Sequence, residues 1–194
     1  YIINPLTQQL SFIAVSAQIV YIGDTANIPM VARVSLTDYR GNVVLDTLVR
    51  PTNPVTDYRT AETGLAATHL VDAPSFRQVQ HRVTLLIRDK IIVGHTLWLF
   101  LSASISHPTI NTRDVAAFLP FRRGLGCGST TPPLRVLVHR LMGRSMGLGY
   151  EHPLENARAA LDLYRSAEYA WERAIDAGSW PCTLPPVGYG GCFL

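Results

Sequence analysis

Residues 11–20 read Ser-Phe-Ile-Ala-Val-Ser-Ala-Gln-Ile-Val, a β-branched and apolar run that predicts a central strand buried on both faces. Residues 29–38 and 43–50 also have the composition of strands, and they flank a turn at Arg40-Gly41-Asn42. The three segments therefore predict an antiparallel meander.

The pattern changes to helices after residue 74. Ser75 and Gln78 stand at capping-box spacing, and apolar residues then recur at helical intervals up to Ile87. A short buried strand at 91–93 ends in Gly94-His95. We predict further helices at 97–105, 134–142 and 153–177, and a fifth strand at 109–116. This order predicts the α/β class, with a mixed five-stranded sheet and helices on both faces.

Composition limits the class of protein. The chain has 194 residues, 47% hydrophobic and 16% charged, which suits one domain with a real core and excludes disorder. No apolar run reaches the roughly 18 residues of a membrane helix, so we expect no membrane partner. Three cysteines without a C-x-x-C motif argue against a secreted disulfide framework, and predict an intracellular protein, nuclear or cytoplasmic.

Three segments carry a resemblance to a known family. The chain resembles the DEDDh 3′–5′ exonucleases, and especially the branch of RNA exonuclease 4 and the interferon-stimulated exonucleases, at residues 49–60, 91–95 and 155–165. The resemblance covers about residues 11–173 and implies an RNase H-like fold. We accordingly predict an exonuclease-like domain at 1–178 and a Pro- and Gly-rich tail at 179–194.

The resemblance also implies a site, and this chain departs from it. In the family, four carboxylates hold two Mg²⁺ ions while a His deprotonates water. The carboxylate positions here hold Ser16, Gln18, Phe100 and Asn156, and Glu151 stands at the His position. We therefore predict no catalytic residue for nuclease chemistry, no cofactor, and loss of Mg²⁺ or Mn²⁺ binding. His95, Asp114 and Asp162 match family positions without a catalytic role.

Several functions remain compatible with these residues. The first is a pseudo-exonuclease that binds RNA or a partner protein. The second is a small-ligand-binding protein or metal-independent enzyme, in which Glu151 and His152 act as acid and base and Gln18 or Asn156 orients a carbonyl. A weaker alternative is a zinc site made of His152, Cys182 and Cys192. Trp98, Leu99 and Phe100 fit a core better than a base-stacking surface, and the apolar tail 187–194 is expected to pack on its own domain or on a second copy.

Overall fold

The antiparallel part of the sheet begins the fold. The computed structural model describes residues 11–23, 28–127, 130–147 and 149–192. Strands β1, β2 and β3 form the predicted meander, with bounds Phe12–Ile22, Ile28–Asp38 and Val43–Leu48. At the β2–β3 turn the Asp38 carboxylate accepts the backbone N–H groups of Arg40 (2.9 Å) and Asn42 (2.8 Å), while Gly41 takes a positive φ of 84°. The turn residues thus fix the register of this pair.

Parallel strands complete the sheet. Strand β5 (Ile91–Gly94) pairs with β1, and β6 (Thr112–Asp114) pairs with β5, which gives the order β3-β2-β1-β5-β6. The prediction of five strands was wrong in one respect, because β4 (Val55–Asp57) pairs antiparallel with the end of β1 as a sixth strand. Three residues after a proline give no alternating pattern, so this strand had no signal in the sequence.

Helices flank the sheet. Their bounds are Thr60–Thr63 (α1), Ala67–Leu70 (α2), Phe76–Ile87 (α3), Leu97–Leu101 (α4), Leu119–Gly124 (α5), Leu134–Met142 (α6) and Pro153–Asp176 (α7). The capping box before α3 is confirmed, since the N–H of Ser75 donates to Oε1 of Gln78 at 3.0 Å. Helix α4 ends four residues before its predicted end, where Ser104 has a φ of 56° that a helix does not allow. No helix was predicted at the position of α5, which has only six residues.

Alternate residues of β1 point into two hydrophobic clusters. Ala14 belongs to a cluster with α6 and α7, whereas Ile13 and Val15 belong to a cluster with α3 and α4. Helices therefore cover both faces, as predicted, and the structure is of the α/β class with a mixed sheet. Within the described ranges, no helix is long and apolar enough to cross a membrane.

The segment after α7 packs on its own domain. The carbonyl oxygen of Pro181 accepts the N–H of Leu119 at 2.9 Å, and the N–H of Thr183 donates to Ala117 at 2.8 Å. A 3-10 helix at Val187–Cys192 then lies against α4. Of the two packing arrangements expected for the tail, the described part adopts the one on its own domain; residues 193 and 194 lie outside the described residues. The domain division at residue 178 stays a prediction.

Candidate functional site

A cleft of about 370 Å³ opens where β1 and β5 lie side by side. Its walls come from β1, the start of α4, the start of α6, and the loop and first turn of α7. The positions that the resemblance singled out converge here from distant parts of the chain: Ser16, Phe100, Glu151 and Asn156 all line the cleft.

Two residues bring α4 against the strands. A Cβ at Gly94 would lie 2.7 Å from the carbonyl oxygen of Val15 and 2.5 Å from Cδ2 of Leu97, so only glycine permits this approach. The buried Asp114 carboxylate accepts the N–H groups of Thr96 (3.0 Å) and Leu97 (2.8 Å), which fixes the start of α4. Burial raises the pKa of Asp114, against the effect of nearby His95 and of these N–H groups. Asp114 is thus structural, as predicted.

The open part of the cleft floor holds neutral side chains. Ser16 and Asn156 are half-buried and face the cavity. Phe100 borders it too, but only 4% of its surface is exposed, because it packs in the cluster of α3 and α4. Position 100 is therefore part of the hydrophobic core, and the prediction that residues 98–100 serve the core is confirmed for Trp98 and Phe100.

Gln18 does not line the cleft, so it is not placed to orient a carbonyl there, as the small-ligand alternative would need. Only 2% of its surface is exposed. Its Nε2 donates hydrogen bonds to the carbonyl oxygens of Thr63 (2.8 Å) and Glu151 (2.5 Å). Its Oε1 is also buried and has no hydrogen-bond partner among the described residues. The amide thus joins β1 to the end of α1 and to the loop before α7, which are far away in sequence.

Two more contacts hold the α1 region and the loop before α7 together. The N–H of Glu151 donates to the carbonyl oxygen of Glu62 at 2.7 Å. The ring of Tyr150 lies against Gly64, where a Cβ would come within 2.8 Å of Cδ2 of the ring. Gly64 also has a φ of 69°, which disfavours any other residue. We call these contacts and those of Gln18 the Gln18 junction; its members are Gln18, Glu62, Thr63, Gly64, Tyr150 and Glu151.

Glu151 and His152 are exposed and stand between two depressions. Both line the cleft, and both also line a wider groove of about 770 Å³ beside β3 and α2, together with Tyr150. The groove contains Asp46, whose pKa is held below its usual value by hydrogen bonds from Arg33. The structure therefore places Glu151 and His152 on a solvated ridge, in agreement with an exposed loop pair.

Charged groups around the cleft are mixed in sign. Arg59 and Arg135 line it, as do the carboxylates of Glu151 and Glu155. Arg59 forms an ion pair with Glu62, and Glu155 accepts the N–H of Gly147 at 2.9 Å. Arg135 is exposed near the start of α6. Sequence reasoning missed Arg59, Arg135 and Tyr150, because no local pattern distinguishes them from other exposed residues.

The side chains of the cleft floor do not suit a pair of divalent cations, because such cations need anionic oxygen ligands. The floor offers one hydroxyl and one amide at Ser16 and Asn156, Phe100 offers no ligand atom, and Gln18 has only a neutral, buried amide oxygen. Within the described part of the chain, no group of three or more His, Cys, Asp and Glu side chains is placed to hold a metal.

The structure does not bring together His152, Cys182 and Cys192, the three residues of the zinc alternative. Cys182 is buried in the cluster with α6 and α7, where burial raises the pKa of its thiol, whereas Cys192 packs against the cluster with α3 and α4. Because a sheet separates these clusters, the two sulfurs cannot share an ion with His152. His95 and Asp162 have the structural roles expected for them: Nε2 of His95 is 2.8 Å from the Pro132 carbonyl oxygen, and Asp162 pairs with Arg144 at the surface.

Comparisons with known proteins agree with this architecture. Residues 16–107 match the Exonuclease (RNase T) family. RNA exonuclease 4 of Candida glabrata is 36% identical over 163 residues, which cover 84% of this chain and 62% of that protein. RNA exonuclease 4 of Saccharomyces cerevisiae is 32% identical over 163 residues, covering 84% of this chain and 56% of the relative. The chain thus spans about half the length of the curated relatives it matches.

Solved structures give the same answer. The pseudoubiquitin hydrolase–RNA exonuclease module of Saccharomyces cerevisiae Pan2, solved in complex with A7 RNA, superposes with a TM-score of 0.71 at 25% identity over 87% of this chain and 30% of that one. The catalytic unit of Neurospora crassa Pan2 superposes with a TM-score of 0.69 over 87% of this chain and 28% of that one; at 19% identity it supports the fold alone. This chain has an RNase H-like fold, and its similarity to the Exonuclease family and to RNA exonuclease 4 supports the DEDDh exonuclease superfamily, in the branch of RNA exonuclease 4.

Proposed function

We propose that this domain binds single-stranded RNA in its cleft and does not cleave it. The proposal rests on the side chains that occupy the four metal-ligand positions at the cleft floor. Two of the four metal-ligand positions, Ser16 and Asn156, present neutral groups, and the other two, Gln18 and Phe100, are buried in contacts that hold the protein together. A domain that kept its shape and lost its anionic ligands is suited to binding without hydrolysis.

The argument against hydrolysis is electrostatic. A two-metal mechanism stabilises the attacking and leaving oxygens with cations that carboxylates hold in place. Replacing four carboxylates removes about four negative charges from one pocket, and a hydroxyl and an amide do not compensate for that loss. Glu151 and Glu155 remain at the rim, but the carbonyl oxygen of Glu151, rather than its carboxylate, faces Gln18.

The argument for RNA has two parts. Loss of negative charge removes repulsion against phosphates, and Arg59 and Arg135 line the cleft that phosphates would enter. The relatives are named RNA exonucleases, and one structural neighbour was solved with RNA. An intracellular location, nuclear or cytoplasmic, belongs to the same proposal.

A fluorescence anisotropy titration with labelled single-stranded RNA tests the binding. We expect an affinity that is unchanged when EDTA replaces Mg²⁺, and that falls between about 50 mM and about 200 mM salt because phosphate contacts release counterions. Absence of binding at the lower salt concentration would exclude RNA as the ligand and leave a protein partner.

Metal binding is tested separately by calorimetry. We expect no binding heat when Mn²⁺ is titrated to millimolar concentration into the free domain, because the cleft offers no group of carboxylates at the four positions. Saturable heat that disappears in an Asn156→Ala variant would show that the old metal site still functions.

One observation favours a second candidate, a small organic ligand. The cavity of about 370 Å³ lies in the range of small-molecule sites and has Val15, Leu97 and Leu99 in its walls. Glu151 and His152 at its edge would act as acid and base in a metal-independent reaction, with Asn156 orienting a carbonyl. Thermal stabilisation by metabolites, with none by RNA or nucleotides, would support this candidate over the first.

A further inference from the structure

We propose that Tyr150 is the stacking platform for a nucleobase of the bound RNA, an inference that rests on the RNA-binding function proposed above. Tyr150 is 66% exposed although it borders the cleft. An exposed aromatic ring beside a cavity presents a flat apolar face that a ligand in the cavity can contact.

The ring is already held in place. One side of Tyr150 rests on Gly64, whose missing Cβ leaves room for ring atoms that would otherwise lie 2.8 Å and 2.9 Å from it. The contact covers one side of the ring, and the large exposed fraction shows that much of the remainder is open to solvent. A flat apolar surface held against glycine is a suitable support for a base, since every base has a π face.

The backbone next to the ring is also fixed. Glu151 donates its N–H to the carbonyl oxygen of Glu62 at 2.7 Å and accepts a hydrogen bond from Gln18 at 2.5 Å. The ring is therefore attached to a segment joined to two other parts of the fold. Preorganisation of this kind lowers the entropy lost on binding. The family has a metal-binding Glu at position 18. In this chain the Gln18 amide holds the backbone of Glu151 instead, and so supports the binding surface next to it.

The position of the ring suits a strand that enters the cleft from the neighbouring groove. Tyr150 lines both depressions, so a base stacked on it would lie at their boundary. The following nucleotide would reach the cleft near Arg59, which lines it and pairs with Glu62, the residue whose carbonyl oxygen accepts the N–H of Glu151. Stacking carries little sequence information, so we expect binding that tolerates any base at this position.

Substitution of Tyr150 tests the proposal. We expect Tyr150→Leu, which retains an apolar contact with Gly64 but has no π face, to weaken single-stranded RNA binding between about 5-fold and about 150-fold, the range for one stacked base. Tyr150→Phe should bind like the parent domain. The control is Tyr169→Leu on α7, an equally exposed tyrosine (75%) that borders neither depression, and it should leave the affinity unchanged.

A second readout identifies the stacked base directly. RNA with a single 2-aminopurine should show quenched fluorescence on binding at one nucleotide position, and Tyr150→Leu should abolish that quenching. If the parent domain does not bind RNA, the proposed function fails. If it binds and the Leu variant binds equally well with the same quenching, RNA binding stands and the role of Tyr150 is overturned.

Discussion

The four former carboxylate positions are not equivalent. Ser16 and Asn156 face the open cleft, where a carboxylate would be hydrated. Gln18 and Phe100 are inside the protein, where the new side chains make contacts that a carboxylate does not make. Reversion at the first two positions should therefore cost little stability, and reversion at the other two should be strongly destabilising.

Gln18→Glu places a carboxylate against two carbonyl oxygens. We expect a loss of about 3 kcal/mol of unfolding free energy at neutral pH, since an acceptor replaces a donor and leaves a buried charge without a partner. Burial raises the pKa of such a carboxyl, so the loss should shrink as the pH falls and the group takes up a proton. Urea unfolding at several pH values measures this. Ser16→Asp is the control, with an expected change below about 1 kcal/mol; equal effects of the two substitutions would contradict the role given to the Gln18 amide.

Phe100→Asp removes a buried ring from the cluster of α3 and α4 and introduces a charge there. We expect the free energy of unfolding to fall by at least about 3 kcal/mol, comparable to truncation of a buried phenylalanine. Phe100→Leu, which keeps the position apolar, should fold with a smaller loss. Asn156→Asp, at the edge of the same cleft, should unfold within about 1 kcal/mol of the parent. A folded, stable Phe100→Asp domain would mean that the ring is dispensable.

Long-range polar contacts connect the last helix to the sheet. Arg113 on β6 is 3% exposed and holds Glu172 on α7 through two hydrogen bonds of 2.7 Å and 2.9 Å. The hydroxyl of Tyr164 also donates to Glu172, at 2.8 Å, and burial raises the pKa of this tyrosine. The network therefore sets how α7, which carries Asn156 at its start, sits on the sheet.

Removal of one partner of this network should be costly. We expect Arg113→Met to destabilise the domain by about 3 kcal/mol, because the carboxylate of Glu172 is left largely buried without its cation. Adding Glu172→Gln should recover part of the loss in a double-mutant cycle. Arg144→Met, which breaks an exposed ion pair with Asp162, should change stability by less than about 1 kcal/mol. Strictly additive effects at Arg113 and Glu172 would argue against a coupled pair.

The ion pair between Arg33 on β2 and Asp46 on β3 should make the free energy of unfolding depend on pH. The hydrogen bonds from Arg33 lower the pKa of Asp46, so this contribution is fully present above the unfolded-state pKa of about 4 and is lost as the pH falls through the lower folded-state value. We expect Asp46→Asn to lower stability by about 1 to 2 kcal/mol at pH 7, with the difference from the parent shrinking below about pH 4. Asp72→Asn, at an exposed position of the same groove, should show a smaller difference.

Sequence patterns predicted the elements with a clear apolar pattern and missed β4 and α5. Strands β1, β2 and β5 and helices α3, α6 and α7 agree with their predicted positions within a few residues. The helices have apolar residues at helical spacing, and β1 and β5 are apolar runs. Strand β4 and helix α5 have three and six residues, which is too short for a period to show.

The site could be predicted only at the positions that the family motifs specify. The placement of Ser16 and Asn156 in one cleft followed from those motifs. The inward turn of Gln18 did not, because its partners Thr63 and Glu151 are 45 and 133 residues away. For the same reason no sequence pattern indicated that Tyr150 would contact Gly64.

The molecule as a whole keeps the architecture of an exonuclease around a cleft with different chemistry. The two larger hydrophobic clusters are packed from apolar side chains and the Cys182 thiol. Of the four positions at which the family has carboxylates, position 100 belongs to the core through Phe100 and position 18 to the Gln18 junction, whereas Ser16 and Asn156 face the open cleft. A conserved architecture with a changed cleft explains how the chain can resemble RNA exonuclease 4 over 84% of its length and still, as we propose, not cleave RNA.

The proposal that the domain does not cleave RNA is tested most directly by incubating it with 5′-labelled single-stranded RNA in Mg²⁺ or Mn²⁺. RNA exonuclease 4 of Saccharomyces cerevisiae, assayed alongside, verifies the conditions. We expect the relative to shorten the RNA while this domain leaves it at full length on a denaturing gel. Progressive shortening from the 3′ end by this domain, stopped by EDTA, would contradict the account.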